Sequence, residues 1–93
     1  MRIIWSRGAR DSLRAIRRRL AAFSPSAERD FAARIEARMR QLEAFPSSGR
    51  EVPEYGVPLL RELVEPPYRI VYELFPDRVE IVTIRHGREH FER

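Results

Sequence analysis

The change of periodicity along the chain constrains its fold most strongly, because two helical stretches come first and three strand-like runs follow. The first helix is predicted from about Arg7 to Phe23, with Ser6 as its capping residue. Its apolar positions recur at helical spacing and are Ala9, Leu13, Ile16, Leu20 and Phe23. One face of this helix should therefore pack against the rest of the molecule.

A second amphipathic helix is predicted from about Ser26 to Ala44. Its apolar stripe consists of Ala27, Phe31, Ile35, Met39 and Leu42. The break at Ser24-Pro25-Ser26 separates the two helices, since proline cannot continue the first and a neighbouring serine can cap the second. So short a connection predicts an antiparallel helical hairpin.

Three strands are predicted after the helices, from runs that are rich in β-branched and aromatic residues. They span Leu59 to Glu65, Tyr68 to Phe75 and Arg78 to Arg85. Prolines supply the turns between them, so the strands should form an antiparallel meander whose central strand contains Arg69 to Leu74. A loop from Arg50 to Pro58 is expected to precede this meander.

A short strand at Arg2 to Trp5 completes the prediction and should join the edge of the sheet. The fold class is therefore α+β with the order β-α-α-β-β-β, a helical hairpin packed on one face of a small antiparallel sheet. At 93 residues the chain should form a single domain, 1–93, with one core. Trp5 is expected to belong to that core, because it lies on the first strand beside the helix stripe.

Composition excludes several classes of protein. The chain has no cysteine, which excludes disulfides and thiolate metal sites and is compatible with a reducing cytoplasm. No apolar run approaches the length of a membrane span, and Met1 to Trp5 is too short for a signal peptide. His86 and His90 can share a helix face, but no third ligand has suitable spacing, so we expect neither a metal nor a cofactor.

The net charge of +4 arises from arginine alone, since all 18 basic residues are Arg. A positive surface favours an anionic partner, either nucleic acid or an acidic protein segment. A genomic preference for arginine codons gives the same composition, so a basic solvated surface is the alternative. The run Arg17-Arg18-Arg19 spans too much of the helix circumference for one binding stripe, which favours a solvated face, with contacts to an acidic partner as the second interpretation.

Six short motifs, in this order and spacing, carry a resemblance to a known family. They are Trp5-Ser6, Asp11-Ser12-Leu13, Pro46-Ser47-Ser48-Gly49-Arg50, Arg61-Glu62-Leu63, Tyr68-Arg69-Ile70-Val71-Tyr72 and His86-Gly87-Arg88. Over essentially its whole length the chain resembles the RelE/ParE toxin superfamily of bacterial toxin–antitoxin modules. The resemblance implies a small cytoplasmic toxin that is neutralised by a cognate antitoxin and forms a hetero-oligomer with it.

Two activities compete within that superfamily. The RelE-like branch cleaves messenger RNA on the ribosome, whereas the ParE-like branch inhibits DNA gyrase. Arg69 matches the phosphate-binding arginine of the RelE-like ribonucleases, but ParE-like members commonly keep an arginine there too. Its structural alternative is an ion pair with Glu62 or Glu73 across neighbouring strands.

The ribonuclease alternative would use Arg61, Arg69 and His86. Arg61 can hold a charge but cannot readily shuttle protons, and the chain has no lysine to do so. Glu51 or Glu54 could instead act as a base, with His86 or His90 as the acid.

His86 itself should lie exposed at a strand end, where capping or packing is the alternative to catalysis. It lacks the neighbouring aromatic hydroxyl of the family's ribonucleases, and His86-Gly87-Arg88 looks more like ParE-like and plasmid-stabilisation members. The resemblance therefore favours a ParE-like toxin that poisons gyrase by binding. The candidate residues for target or anion binding are Arg50, Arg61, Arg69, Arg85, His86 and Arg88. A toxin fold that survives only as an antitoxin-binding module is a third alternative.

Overall fold

A computed structural model describes residues 1–87, which form two helices and five strands. In chain order these are β1 (Arg2–Trp5), α1 (Arg7–Phe23), α2 (Pro25–Ala44), β2 (Arg50–Glu51), β3 (Leu60–Glu65), β4 (Tyr68–Leu74) and β5 (Arg78–His86). The predicted α+β fold is confirmed. Within residues 1–87, neither helix is long and apolar enough to cross a membrane.

The sheet has the strand order β1-β5-β4-β3-β2, so β1 lies at the predicted edge and β4 is central. Its pairs are antiparallel except that β1 runs parallel to β5, which makes the sheet mixed rather than wholly antiparallel. β2 lies within the segment Arg50 to Pro58 that was predicted as a loop, and its two polar residues, both exposed, show no apolar alternation. It forms because these two residues pair in register with Glu62 and Arg61 of β3.

Serine residues determine where both helices begin. Ser6 Oγ accepts a hydrogen bond from the Ala9 N–H at 3.0 Å, which confirms the predicted cap of α1. Ser24 Oγ accepts from the Ala27 N–H at 3.3 Å, and Pro25 occupies the first turn of α2, where a missing N–H has no cost. The second helix therefore begins one residue before the prediction.

Phe23 was placed in the apolar stripe of α1, and that assignment is wrong. Phe23 is 90% exposed, because α1 ends at this residue and the chain turns directly into α2. The stripe therefore ends at Leu20, which packs against the core.

Both helices cover the same face of the sheet. The buried cluster that joins them comprises Ala9, Ile16, Phe31, Ile35, Leu42, Leu63, Tyr68, Ile70, Tyr72, Val79, Ile81 and Ile84. On β5 the inward alternation is interrupted after Ile81, because the register with β4 shifts and leaves Val82 as an extra, exposed residue. Trp5 packs at the margin of this cluster rather than inside it.

Gly49 lies where the chain leaves the helices and enters the sheet. Its N–H donates a 2.8 Å hydrogen bond to the buried hydroxyl of Tyr72 on the central strand. A Cβ at this position would lie 2.5 Å from Tyr72 Oη and 2.6 Å from the Glu62 carbonyl oxygen, so no side chain fits. Burial also raises the pKa of Tyr72, and the hydroxyl therefore stays neutral at physiological pH.

We expect Gly49→Ala to lower the free energy of unfolding by about 1–3 kcal/mol, because the added methyl must displace backbone or a buried ring. Gly8→Ala is the matched control, since a Cβ there meets only Val82 O at 3.8 Å and Ser6 Oγ at 3.9 Å. Chemical denaturation of both variants measures the difference. Equal stability of the two variants would contradict the steric argument.

Candidate functional site

The site lies on the sheet face that the helices leave uncovered. Tyr68, Ile70 and Tyr72 point into the core, so the alternation along β4 turns Arg69 to the opposite face. The segment between β2 and β3 folds over this face and is anchored by Val52, which is fully buried. The Val52 carbonyl accepts hydrogen bonds from the N–H groups of residues 55 and 56 at 3.1 and 3.0 Å. This tight turn holds Glu54 beside Arg69.

Four charged side chains form an alternating network on this face. Glu54 accepts from both terminal nitrogens of Arg69 in a bidentate pair with two distances of 2.7 Å. Glu62 Oε1 accepts from Arg69 Nε at 2.8 Å and lies 2.6 Å from Arg69 Nη2. The other Glu62 oxygen, Oε2, accepts from Arg50 Nε at 2.7 Å. The order is therefore Glu54–Arg69–Glu62–Arg50, with alternating charge.

The centre of this network is dry, whereas its ends reach solvent. The Glu62 side chain is 0% exposed and that of Arg69 is 8% exposed, but Arg50 is 61% exposed. The hydrogen bond to Glu54 raises the pKa of Arg69 above its ordinary value, against the opposing effect of burial. No buried side-chain nitrogen or oxygen within residues 1–87 lacks a hydrogen-bond partner. The buried charges are thus paired, as their desolvation requires.

The alternative interpretation of Arg69, an ion pair across neighbouring strands, holds in the structure, and its partner is Glu62 rather than Glu73. Glu62 and Arg69 are diagonal neighbours on β3 and β4, whereas Glu73 pairs with Leu60 and Glu80 further along the strand. Glu54, which was considered from the sequence only as a possible base, provides the second carboxylate that pairs with Arg69.

Arg61 does not join this network. It donates to the backbone carbonyl oxygens of Pro58 at 2.8 Å, Gly49 at 3.0 Å and Ser47 at 3.4 Å. Arg61 therefore fastens the chain on both sides of β2. Its guanidinium stabilises loop structure in this conformation.

His86 lies on the helix side of the sheet, opposite Arg69. It is the register partner of Tyr68, and the two rings meet edge to face with centroids 6.0 Å apart. His86 is half-buried rather than exposed as predicted, because it ends a strand that Tyr68 still covers. Arg61, Arg69 and His86 are therefore not brought together on one surface. Arg85 is exposed on β5, while Arg88 and His90 lie outside the described residues.

A second feature is a pair of adjoining grooves on the helical hairpin, which share Trp5, Leu13 and Arg17. The larger groove, about 570 Å³, has an apolar floor and is bordered by arginines of α1. These arginines are Arg10, Arg14, Arg17 and Arg18. The smaller groove, about 410 Å³, continues toward α2 past Ile35 and Met39. No group of three or more metal-ligating side chains occurs in the described part of the chain.

The fold is similar to that of a solved structure titled "Chromosomal ParDE TA system from P. aeruginosa". That structure matches with a TM-score of 0.74 at 22% identity, over 92% of this chain and 95% of the other. A family model described as "ParE toxin of type II toxin-antitoxin system, parDE" matches residues 3–91. The chain belongs to this ParE toxin family.

A relative supports the same placement at the level of sequence. The protein named Toxin RelE2 of Caulobacter vibrioides is 37% identical over 86 residues. The match covers 91% of this chain and 93% of the relative. The resemblance to the RelE/ParE toxin superfamily is therefore confirmed.

We expect Glu62→Gln to lower the free energy of unfolding by about 3–5 kcal/mol, because it leaves buried Arg69 with one carboxylate fewer. Glu51→Gln is the control, since Glu51 is exposed on the neighbouring edge strand. The double variant Glu62→Leu with Arg69→Met should recover much of the loss, as it removes both buried charges. Thermal and urea unfolding measure these differences, and a Glu62→Gln protein as stable as Glu51→Gln would exclude a structural role for the network.

Proposed function

We propose that this chain is a ParE-like toxin that poisons DNA gyrase by binding and needs no covalent chemistry. The observation that carries the proposal is the pairing of Arg69 with Glu54 and Glu62. A guanidinium that holds a scissile phosphate must direct its donors at that phosphate. Here the donors of Arg69 hold two carboxylates of the same chain.

The other residues of the ribonuclease alternative support the same proposal. Arg61 donates its hydrogen bonds to three backbone carbonyls of the same chain. His86 lies on the opposite face of the sheet from Arg69. A base, an acid and a phosphate-binding cation must converge within hydrogen-bond reach of one substrate. A binding mechanism requires no such convergence.

The test is purified gyrase with the purified chain. We expect inhibition of supercoiling and accumulation of cleaved DNA, and induction in cells should activate the DNA-damage response before translation stops. His86→Gln should keep most of this activity, because glutamine retains a similar size and hydrogen-bonding capacity and differs chiefly in that it cannot transfer a proton. Changes in residues 85–93 should matter more, since polar C-terminal side chains can contact a protein target.

A different result would overturn the proposal. Cleavage of ribosome-bound messenger RNA by the wild-type chain, with loss on His86→Gln, would assign a ribonuclease. Loss of a positioned acid costs about 10²–10⁴-fold in rate, so the effect is easy to measure. The activity of the Arg69→Ala variant must be interpreted together with its free energy of unfolding, because this change also breaks the buried network.

We also propose that a cognate antitoxin neutralises this toxin in the cytoplasm by laying an amphipathic acidic helix in the grooves of the hairpin. The floor offers Trp5 and Leu13 to apolar side chains, and the arginines of α1 border it on one side. Charge complementarity of this kind guides association and fixes the register of the partner. Helix-in-groove recognition uses the same combination of apolar anchors and a polar rim.

The double variant Arg14→Glu with Arg18→Glu should weaken antitoxin binding by about tenfold or more, since it reverses two charges beside the groove. The control Arg19→Glu with Arg29→Glu makes the same change in net charge at residues that do not line the grooves. Co-purification and calorimetry with the antitoxin encoded beside the toxin measure both. Equal weakening by the two double variants would assign the effect to overall charge.

A further inference from the structure

The two grooves of the helical hairpin lie between walls of different charge. Among the described residues, the charged side chains that border them from α1 are all arginines, namely Arg10, Arg14, Arg17 and Arg18. The charged side chains that border them from α2 are Glu28, Glu36, Arg40 and Glu43. The wall on α1 is therefore basic, whereas carboxylates are in excess on the wall formed by α2.

Two of the α2 carboxylates are available to a partner. Glu28 is already held by Arg17 at 2.7 Å, and its side chain is only 17% exposed. Glu36 and Glu43 are exposed, and no salt bridge within residues 1–87 engages either of them. They are two helical turns apart and so lie on the same side of α2. Arg40 lies between them and leaves this part of the wall with one negative charge in excess.

The shape of the grooves selects a helix as the occupant. The larger groove runs from Arg10 to Ala21 along α1, and the smaller one runs from Ala32 to Glu43 along α2. Each border is about 17 Å long, which corresponds to about three turns of a partner helix. A second copy of this chain would present the same concave surface, and two concave surfaces cannot fill each other. A convex helix with an apolar stripe can fill the grooves.

We infer that the grooves accept a partner helix whose two flanks carry opposite charge. Carboxylates on one flank face the arginines of α1, and basic side chains on the other flank face Glu36 and Glu43 of α2. Complementary charges across an interface fix its register and suppress wrong partners. The inference rests on the proposed antitoxin helix and adds to it a second, basic flank.

Two walls of different charge also determine the direction in which the helix lies. A helix that is turned end for end, with its apolar stripe still on the floor of the grooves, exchanges its left and right flanks. Its basic side chains would then face the arginines of α1, and its carboxylates would face those of α2. Like charges in contact oppose association, so only one of the two directions is favourable.

The first test is the double variant Glu36→Arg with Glu43→Arg, measured by calorimetry against the antitoxin encoded beside the toxin. We expect binding to weaken by about tenfold, although the change makes the toxin more positive. A partner that is acidic on both flanks would bind this variant more tightly, and that result, or an unchanged affinity, overturns the inference. The control Asp30→Arg with Glu51→Arg makes the same change in net charge at exposed residues that border neither groove, and it should not weaken binding.

The second test uses the wild-type chain and two stapled helical peptides of about three turns that share one apolar stripe. One peptide has glutamates on one flank and lysines on the other, and the second distributes the same residues over both flanks. We expect the segregated peptide to bind about tenfold more tightly. A spin label at its N-terminus should broaden backbone amides near Arg10 or near Ala21 but not both, and exchange of its flanks should move the broadening to the opposite end.

Three results of the peptide experiment would contradict the inference. They are equal affinity of the two peptides, broadening at both ends of α1, and a dimer of the chain alone that excludes both peptides. The last result would assign the grooves to a second copy. The peptide measurements use neither gyrase nor the antitoxin, so failure of the proposed function and failure of this inference are distinguishable.

Discussion

The architecture of the open face of the sheet depends on the ion pairs that the Glu62 carboxylate forms. Its two oxygens bind arginines from the strands on either side, Arg50 of β2 and Arg69 of β4. Three strands are thus connected by one buried anion, in addition to their backbone hydrogen bonds. Glu62 also supplies the carbonyl that crowds Gly49, so the entry of the chain into the sheet is fixed at the same residue.

Burial of two charges in this way contributes little net stability, because desolvation offsets most of the attraction. The network instead fixes the positions of the side chains and of the segment that carries Glu54. Arg69 receives Glu54 from the segment that follows β2, and this contact fastens the segment to the open face of the sheet. The helix side uses the opposite solution, a continuous apolar cluster. The two faces of the sheet are therefore organised differently, by paired charges on the open face and by apolar packing on the helix face. Only the helix face has the composition of an ordinary core.

The elements of the fold could be predicted from the sequence because their signals are local. Helical spacing, Ser6 and the proline turns predicted both helices and the three long strands to within one residue at every end. β2 escaped detection because a two-residue polar strand has no periodicity, and its pairing depends on Arg61 and Glu62 about a dozen residues away. Phe23 was misplaced because spacing reveals a helix face but not where the covering partner ends.

Less of the site could be predicted, because its geometry depends on contacts between distant residues. The pairing of Arg69 with Glu62 followed from their neighbouring strands, which hydrophobic patterns locate. The bidentate contact with Glu54 depends on the path of a loop, and no periodic pattern specifies that path. The placement of Arg69 and His86 on opposite faces could have been predicted from the sequence. Once the two strands are in register, side-chain alternation directs these residues to opposite faces of the sheet.

At Arg61 and Arg69 the structure explains why the basic residue is arginine and not lysine. On an exposed helix face a point charge and a fork are equally solvated, so the fold itself does not require arginine in place of lysine there. At Arg69 the planar fork meets two carboxylates at once, and at Arg61 one side chain reaches three backbone carbonyls. A lysine has one compact ammonium and cannot reproduce either geometry. Arginine is therefore a structural requirement at Arg61 and Arg69 of the sheet.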